Sequence, residues 1–280
     1  MKVNLRTTIP LLFSLVTAVS VLAAQVGREQ EPFSFVQMCD TQLGMGGYEH
    51  DVATFKQAVK QINALPVDFV VICGDLVQKA DDKSFADFNA IKATFTLPCY
   101  CAPGNHDVGN APTSATLANY REKIGKDYYS VEHKGYTLVV ANSQLWKSDV
   151  GAESAKHDAW FKKTLEEAKA KDSPALVVVH YPLFLKDIEE EEIYYNLPIE
   201  KRKEIFALCK ENGVVAFLAG HTHKQISNEK DGILFVNGET TSKNFDKRPM
   251  GFRLWKVGGG NGLQHEFVKV EGFDAEPGAE

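Results

Sequence analysis

Five apolar segments of the sequence are followed by side chains of the kinds that bind metal ions or transfer protons. The residues at these positions are Asp40, Asp75, Asn105, His180 and the triplet His221-Thr222-His223. Carboxylate and amide oxygens, combined with imidazole nitrogens, form the ligand set of Mn, Fe or Zn ions. They exceed the needs of one tetrahedral ion and suit two ions about 3.5–4 Å apart that share a bridging carboxylate. The sequence therefore predicts a dinuclear metal site.

The stretch LPCYCAPGNHD, from Leu97 to Asp107, is the densest of these motifs. Its apolar part is typical of a short buried strand, and a proline and a glycine end it. An amide, an imidazole and a carboxylate then follow in succession. Open α/β sheets place their chemistry just beyond the carboxyl ends of the strands. We therefore predict that Asn105 binds a metal, that His106 handles a proton or a phosphate oxygen, and that Asp107 orients His106.

The elements that must position these residues follow the order of an α/β domain. The run VDFVVIC at residues 67–73 is apolar throughout, as expected for a parallel strand covered on both faces. Other strands are predicted at 33–39, 97–102, 128–133, 136–141, 175–179, 214–219, 233–237, 252–257 and 263–270. Apolar residues spaced three and four apart predict helices at 48–65, 81–94, 113–124, 153–171 and 198–212. The segment 183–197 is acidic and irregular.

The composition excludes some classes of function. The chain has 280 residues, of which 44% are hydrophobic, and this is enough for one large core. Its net charge is −6 and its pI is about 5.8. Proteins that bind nucleic acid generally carry a basic stripe, and this sequence has none. We therefore expect no nucleic-acid partner.

Residues 1–24 have the pattern of a secretory signal peptide. Lys2 and Arg6 supply a positive start, residues 9–21 are apolar, and Ala23 and Ala24 offer a cleavage site. The alternative is an uncleaved membrane anchor, but the apolar run is shorter than the ~20 residues that a spanning helix needs. We predict an exported protein, periplasmic or secreted, with no membrane association after cleavage.

The five cysteines do not form the pattern of a disulfide framework. Four of them lie in apolar strand-like runs, and Cys209 lies in a helical pattern. Buried cysteine commonly behaves as a small hydrophobic residue, and this is our interpretation. Because export brings an oxidising environment, one bridge between Cys39 and Cys73 is the alternative.

Taken together, the motifs resemble the calcineurin-like metallophosphoesterase superfamily. The matching residues are Asp40, Gly74-Asp75, Gly104-Asn105-His106-Asp107, His180 and Gly220-His221-Thr222-His223. The runs at 105–110, 142–144 and 194–197 resemble the calcineurin-like phosphoesterase-domain-containing group, which is related to protein phosphatases. The resemblance implies an α/β fold (α+β in some schemes) with a central β-sandwich of mixed sheets flanked by helices. Its domain would span residues 33–270, followed by a frayed tail at 271–280.

The resemblance also implies a role for each matched ligand. Asp75 bridges both metals, and Asp40 and His223 hold the first ion. The second ion is held by Asn105, His180 and His221. The superfamily usually has histidine two residues after the first aspartate, and Gln42 stands there in this chain. Gln42 either ligates the first ion or only bonds to a water held by that ion, and in either case we expect a weaker first site.

The reaction implied by the resemblance is hydrolysis of a phosphoester. Two divalent ions, whether Mn, Fe, Zn or Mg, lower the pKa of a bridging water, and the hydroxide attacks phosphorus. His106, steadied by Asp107, protonates the leaving oxygen or stabilises charge on the phosphoryl group. Phosphate monoesters are the expected substrates. The alternatives are a phosphodiesterase acting on cyclic nucleotides or other diesters, and a metal-bearing binding module without turnover.

Residues outside the motifs receive plainer interpretations. The remaining histidines are expected to be surface or capping groups, and they are His50, His133, His157 and His265. The acidic run from Asp187 to Glu192 is expected to be a solvated loop. Its alternative role is a lid beside His180 that repels polyanions and limits the choice of substrate.

Overall fold

The computed structural model describes residues 30–258 and 262–273. The predicted signal peptide and the last seven residues of the predicted tail lie outside the described residues. Within the described ranges no helix is both long enough and apolar enough to cross a membrane.

The described chain forms eleven strands and seven helices. The strands are β1 (Phe33–Met38), β2 (Phe69–Cys73), β3 (Cys99–Ala102), β4 (Tyr129–His133), β5 (Tyr136–Val140), β6 (Ala175–Val178), β7 (Val214–Ala219), β8 (Ile226–Lys230), β9 (Ile233–Asn237), β10 (Gly251–Val257) and β11 (Leu263–Lys269). The helices are α1 (Tyr48–Ile62), α2 (Asp82–Lys92), α3 (Asn105–Val108), α4 (Ser114–Lys123), α5 (Gln144–Lys147), α6 (Ala152–Ala170) and α7 (Ile199–Glu211).

Two mixed sheets form the centre of the molecule. The five-stranded sheet has the order β11-β10-β1-β2-β3, and β1, β2 and β3 are parallel. The six-stranded sheet has the order β4-β5-β6-β7-β9-β8, and β5, β6, β7 and β9 are parallel. Seven strands therefore have a parallel neighbour, which brings the carboxyl ends of each parallel set to one edge of its sheet.

The two sheets pack face to face through an apolar layer. Phe35 and Val71 from the first sheet meet Leu138, Val178 and Leu218 from the second in one buried cluster. Two further clusters lie on the outer faces of the sandwich. One packs α1, α2 and α4 on the first sheet, and the other packs α6 and α7 on the second. This layering explains why the parallel strands are apolar on both faces, and it confirms the predicted β-sandwich of mixed sheets flanked by helices.

Local side-chain chemistry sets where the helices begin. The carboxylate of Asp81 accepts a hydrogen bond from the Ser84 amide and caps α2. Thr113 and Thr116 form a reciprocal capping box at the start of α4. The predicted hairpin turn at Lys134-Gly135 joins β4 to β5, and both of its residues have positive φ.

Three elements were not predicted from the sequence. The helices α3 and α5 are single turns of four residues, too short to show a helical period. Strand β8 lies at the edge of its sheet and reads ISNEK, with alternating half-buried and exposed residues and little apolar character. The irregular segment 183–197 is confirmed, since it contains no helix or strand.

The cysteines are free thiols, as their interpretation as small hydrophobic residues requires. Cys39 and Cys73 directly follow paired residues of β1 and β2, yet no bridge joins them, so the alternative disulfide is absent. Both are fully buried, and the amide of Gln37 points at both sulfur atoms, at 3.7 and 3.8 Å. Burial raises the pKa of the Cys39 thiol well above its usual value.

His157 corrects one expectation, because it is neither a surface nor a capping group. The residue is fully buried on α6, and its Nε2 accepts a hydrogen bond from the Asn142 amide at 3.1 Å. That bond requires the neutral tautomer with the proton on Nδ1. Burial lowers the pKa of His157, although the neighbouring Asp158 carboxylate acts in the opposite direction.

We predict that His157 makes folding sensitive to acid. Its pKa is lower in the folded protein than in the unfolded chain, so the unfolded chain binds more protons as the pH falls below ~6.5. The free energy of unfolding then falls by up to about 1.4 kcal/mol per pH unit from this group. His157→Gln keeps an acceptor and removes the titration. Urea unfolding from pH 8 to pH 5 should give a shallower pH dependence for the variant, and superimposable pH profiles would contradict the prediction.

Candidate metal centre

The predicted ligands come together because the parallel strands of both sheets end at the same place. Asp40 and Asp75 follow β1 and β2, and His180 and His221 follow β6 and β7. Among the described residues, nine that are not glycine have positive φ. Five of these nine are predicted ligands, namely Asp40, Gln42, Asp75, His221 and His223. Such backbone is strained in residues with a side chain, and strain of this kind is concentrated at functional sites.

Glycines allow these strand ends to approach one another. A Cβ atom on Gly104 would lie 2.1 Å from Oδ1 of Asp75, and one on Gly220 would lie 2.5 Å from Oδ2 of Asp40. Neither position has room for a side chain. The glycine in each motif is therefore required by the packing of the site rather than by the turn alone.

The other three predicted ligands of the second ion, including the shared Asp75, surround Nε2 of His180. That nitrogen lies 3.2 Å from Oδ2 of Asp75, 3.0 Å from Oδ1 of Asn105 and 3.1 Å from Nδ1 of His221. One possible ligand atom from each of Asp75, His180 and His221 lies within 4.8 Å of the other two. The side chains of this group are almost completely buried.

The first-ion ligands lie beside this group. Nε2 of His223 is 3.5 Å from Oδ1 of Asp40, and Nδ1 of His180 is 4.0 Å from the same oxygen. The Asp40 carboxylate also accepts the amide of His221 at 3.1 Å. The His180 ring thus lies between Asp40 and Asp75, which places the two predicted ligand groups side by side.

Backbone carbonyls fix the orientation of two of the imidazoles. Nδ1 of His180 donates to the carbonyl of Cys73 at 2.9 Å, and Nδ1 of His223 donates to the carbonyl of Lys243 at 2.6 Å. With the proton on Nδ1, Nε2 of each ring is left as a lone pair that faces the carboxylates. This is the arrangement in which histidine binds a metal.

The chemistry of this group fits a divalent cation. Around Nε2 of His180 the facing atoms of Asp75 and Asn105 are oxygen acceptors, and acceptors held about 3 Å apart repel one another unless a positive charge lies among them. Among the described residues, Oε1 of Gln42 and Nε2 of His221 are buried without any hydrogen-bond partner. Buried polar atoms without partners are costly, and a cation bound as the first ion would satisfy Oε1 of Gln42. His221 faces the group around His180 with Nδ1 instead.

The pKa values of the predicted ligands also indicate that this site stabilises a positive charge. Burial lowers the pKa of His180, but the charge of Asp75 outweighs it and raises that pKa to about 9. Burial raises the pKa of Asp75, but His180 and its hydrogen bond lower it to about 2. Burial raises the pKa of Asp40 and lowers that of His221 well below its usual value. A cation therefore competes with a proton for the centre of this site.

Gln42 is oriented as a ligand would be. Its Nε2 donates to Oε1 of Gln78 at 2.9 Å, so the amide oxygen points the other way and remains buried without a partner. Gln42 itself is only 1% exposed. A buried amide oxygen without a partner is compatible with both predicted roles, as a direct ligand and as the partner of a metal-bound water.

The role given to Asp107 needs correction, since its carboxylate does not hold the His106 ring. It accepts hydrogen bonds from the amides of Leu76, Val77 and Gly104, at 2.8–3.2 Å. The ring of His106 is instead bound through Nδ1 to the carbonyl of Gln78 at 3.0 Å. Asp107 therefore fixes the backbone after β2, and any influence on His106 passes through that segment.

The acidic run in the segment 183–197 is a solvent-exposed loop, as predicted, and hydrogen bonds hold it in one conformation. The Glu190 carboxylate accepts the amides of Leu185 and Lys186 and the side-chain amide of Asn196. The other acidic side chains of the run, Asp187, Glu189, Glu191 and Glu192, are exposed, and Asp187 also accepts a hydrogen bond from the Glu189 amide at 2.9 Å. Tyr194 reaches the metal centre, where its hydroxyl accepts from Nδ2 of Asn105 at 3.4 Å.

The aromatic residues around the centre were missed by reasoning from motifs. Tyr181 lies under His221 with ring centroids 3.9 Å apart, and Phe245 stacks on His223 at 4.4 Å. Tyr181 directly follows His180 in the sequence, which is a signal that could have found it. Nothing in the sequence around Phe245 marks it, because only folding brings its loop beside β7.

Comparison with known proteins decides the family. The family model described as calcineurin-like phosphoesterase matches residues 33–225. The chain belongs to this family. It is therefore a metallophosphoesterase, a hydrolase of phosphoric esters with a two-metal centre.

Individual relatives support the same assignment. The chain is 34% identical over 230 residues to the serine/threonine-protein phosphatase CPPED1 of Danio rerio, covering 73% of this chain and 74% of that protein. It is 22% identical over 230 residues to a probable cyclic nucleotide phosphodiesterase of Vesicomyosocius okutanii, covering 80% and 94%. A solved dimetal phosphatase from Danio rerio has the same fold, with a TM-score of 0.62, 14% identity and coverage of 86% and 100%.

We predict that Gln42 sets the metal preference of the first site. Gln42→His supplies a stronger donor and should increase zinc affinity about tenfold relative to magnesium. Gln42→Met removes the oxygen and should lower the amount of metal retained. Calorimetric titration of metal-stripped protein measures both effects.

Gln78→Met is the matched control for this test. It removes the hydrogen-bond partner of Gln42 but keeps the backbone carbonyl that holds His106. If neither Gln42 variant changes metal affinity or preference, Gln42 is not a ligand.

Proposed function

We propose that this protein is an exported metal-dependent phosphatase that hydrolyses phosphate monoesters. The observation that carries the proposal is the buried set of acceptors around Nε2 of His180, joined to a second pair formed by Asp40 and His223. It supports two cations side by side. The relatives named serine/threonine-protein phosphatases support monoesters as the substrate class.

Metal chemistry and protein chemistry have separate tasks in this proposal. A pair of divalent ions, when bound, lowers the pKa of a bridging water to supply a hydroxide nucleophile and neutralises charge on the phosphoryl oxygens. In this proposal Asp75, whose carboxylate lies 3.2 Å from Nε2 of His180, would contact both ions. The backbone of His106 donates to Oδ1 of Asp75 at 2.8 Å, which fixes that carboxylate in place.

His106 is the group placed to handle the leaving oxygen. It is partly exposed, in contrast to the buried ligand histidines, so its ring can reach a substrate. Its Nδ1 donates to the carbonyl of Gln78. In the imidazolium form, Nε2 therefore carries the proton that can be delivered, and the ring is already oriented for the transfer.

Export is part of the proposal and rests on the pattern of residues 1–24. Expression of the full chain followed by fractionation of the cells measures it. We expect a mature protein that begins soon after Ala23 or Ala24 and is found outside the cytoplasm. Full-length protein in the cytoplasm would contradict this part of the proposal alone.

One comparison tests the catalytic proposal and its alternatives. Metal-stripped protein is given Mn, Fe, Zn or Mg, and hydrolysis of a generic phosphomonoester is compared with that of a phosphodiester. We expect the monoester to be preferred. Preference for the diester would favour the phosphodiesterase hypothesis, which the similarity to the relative from Vesicomyosocius okutanii supports. Metal binding with no turnover of either substrate would favour a binding module.

We predict that His106→Ala separates chemistry from metal binding. The variant should retain the metal content of the wild type and lose about 10²–10⁴-fold in turnover, as expected for loss of a positioned proton donor. His50→Ala, which changes an exposed histidine on α1, serves as the control. Loss of both metals in His106→Ala would show that this residue is a ligand instead.

A further inference from the structure

Exposed hydrophobic side chains are concentrated beside the metal centre. Across the part of the chain that the structure describes, four large hydrophobic residues are exposed, namely Ile193, Tyr194, Tyr195 and Phe245. Three of them are aromatic, with exposed fractions of 51% for Tyr194, 36% for Tyr195 and 40% for Phe245. Clustering of such residues is uncommon on a protein surface unless the surface binds something.

The three aromatic rings contact two predicted ligands. Phe245 lies parallel to His223, with centroids 4.4 Å apart and planes at 11°. Tyr194 and Tyr195 lie 4.9 and 5.6 Å from the ring of His221, and 5.1 Å from each other. We call Tyr194, Tyr195 and Phe245 the aromatic rim. Any group that projects outward from a phosphate at the centre must pass these rings.

The tyrosines of the rim are carried on a firmly held loop. Arg202 is fully buried, and its guanidinium donates to the carbonyls of Ile188, Glu190 and Leu197 at 2.7–3.3 Å. Lys147 donates to the carbonyls of Ile193 and Asn196, at 3.0 and 2.7 Å. The loop is therefore already ordered in the free protein. Binding a ligand to it costs little further conformational entropy.

The phenylalanine of the rim is positioned by its own backbone. The Phe245 amide donates to the carbonyl of His223 at 2.8 Å. The neighbouring Asn244 accepts the Thr240 amide at 2.8 Å. The two sides of the rim thus come from separate loops, and the loop of Phe245 is tied to His223, whose ring Phe245 contacts.

We propose that the aromatic rim binds an aromatic ring carried by the leaving group, so that the preferred substrates are phosphate monoesters of alcohols or phenols that contain such a ring. This inference rests on the proposed function. Two sources share the chemistry, which are phenolic esters such as tyrosine phosphate and nucleoside monophosphates. The neighbouring Glu191 and Glu192 are exposed and disfavour leaving groups with further negative charge. In the reaction the P–O bond to the leaving group breaks, the water oxygen bonds phosphorus, and a water proton ends on the leaving oxygen.

Binding of phosphonates tests the rim without turnover. Phenylphosphonate and cyclohexylphosphonate are similar in size and cannot be hydrolysed at the P–C bond, but only the first is aromatic. Calorimetry on manganese-loaded protein should give roughly threefold to tenfold tighter binding of phenylphosphonate. In Tyr195→Leu and Phe245→Leu the ratio of the two dissociation constants should fall towards one.

Ile193→Ala is the matched control, because Ile193 is exposed on the same loop and is not aromatic. It should leave the ratio of the two phosphonates unchanged. Metal content measured for each variant confirms that the centre is intact. A wild-type ratio near one, or a ratio that neither leucine variant changes, would overturn the proposal.

Hydrolysis distinguishes the two sources and separates this inference from the proposed function. The kcat/KM values for tyrosine phosphate and adenosine 5′-monophosphate are each divided by that for glycerol phosphate. Phenol is intrinsically the better leaving group, so the informative quantity is the change of each ratio in the leucine variants. The ratio that falls by threefold or more identifies the source.

The remaining outcomes are also decisive. Hydrolysis of all three esters with ratios that the leucine variants leave unchanged refutes the rim and leaves the phosphatase proposal standing. No hydrolysis of any monoester, with selective binding of phenylphosphonate retained, refutes the phosphatase proposal and leaves the aromatic site standing.

Discussion

The structure depends on one electrostatic constraint, which is that several hydrogen-bond acceptors share a buried space around Nε2 of His180. Asp75 and Asn105 bring oxygens to about 3 Å from this nitrogen, and little water can reach the group. Like partial charges in such a space repel strongly because the surroundings screen them poorly. Only a proton or a metal cation resolves the repulsion, and the family's chemistry uses the second.

Holding this arrangement requires the backbone to accept strain. Five predicted ligands have positive φ, and glycines at 104 and 220 remove side chains that would block the approach of Asp75 and Asp40. Asp107 stabilises these segments by accepting hydrogen bonds from two backbone amides after β2 and one after β3. The surrounding sandwich supplies the rigidity, since both of its sheets are apolar on two faces.

The same scaffold shapes the surface through which a substrate must approach. The loop that carries Tyr194 and Tyr195 is held by buried Arg202 and by Lys147, so its conformation is set by helices α5 and α7. Phe245 lies on a separate loop, and its amide donates a hydrogen bond to the carbonyl of His223. The aromatic rings beside the predicted metal ligands thus come from segments that hold no predicted metal ligand.

The sequence by itself determined the strand-and-helix order, the polar residues at strand ends and the family, because each is written in local periodicity or in short motifs. It did not determine that Asp107 binds the backbone rather than His106, that His157 is buried beneath Asn142, or that Phe245 lies beside His223. Each of these depends on contacts between residues distant along the chain. Such contacts form only when the two sheets pack together, so they cannot be predicted from a local sequence pattern.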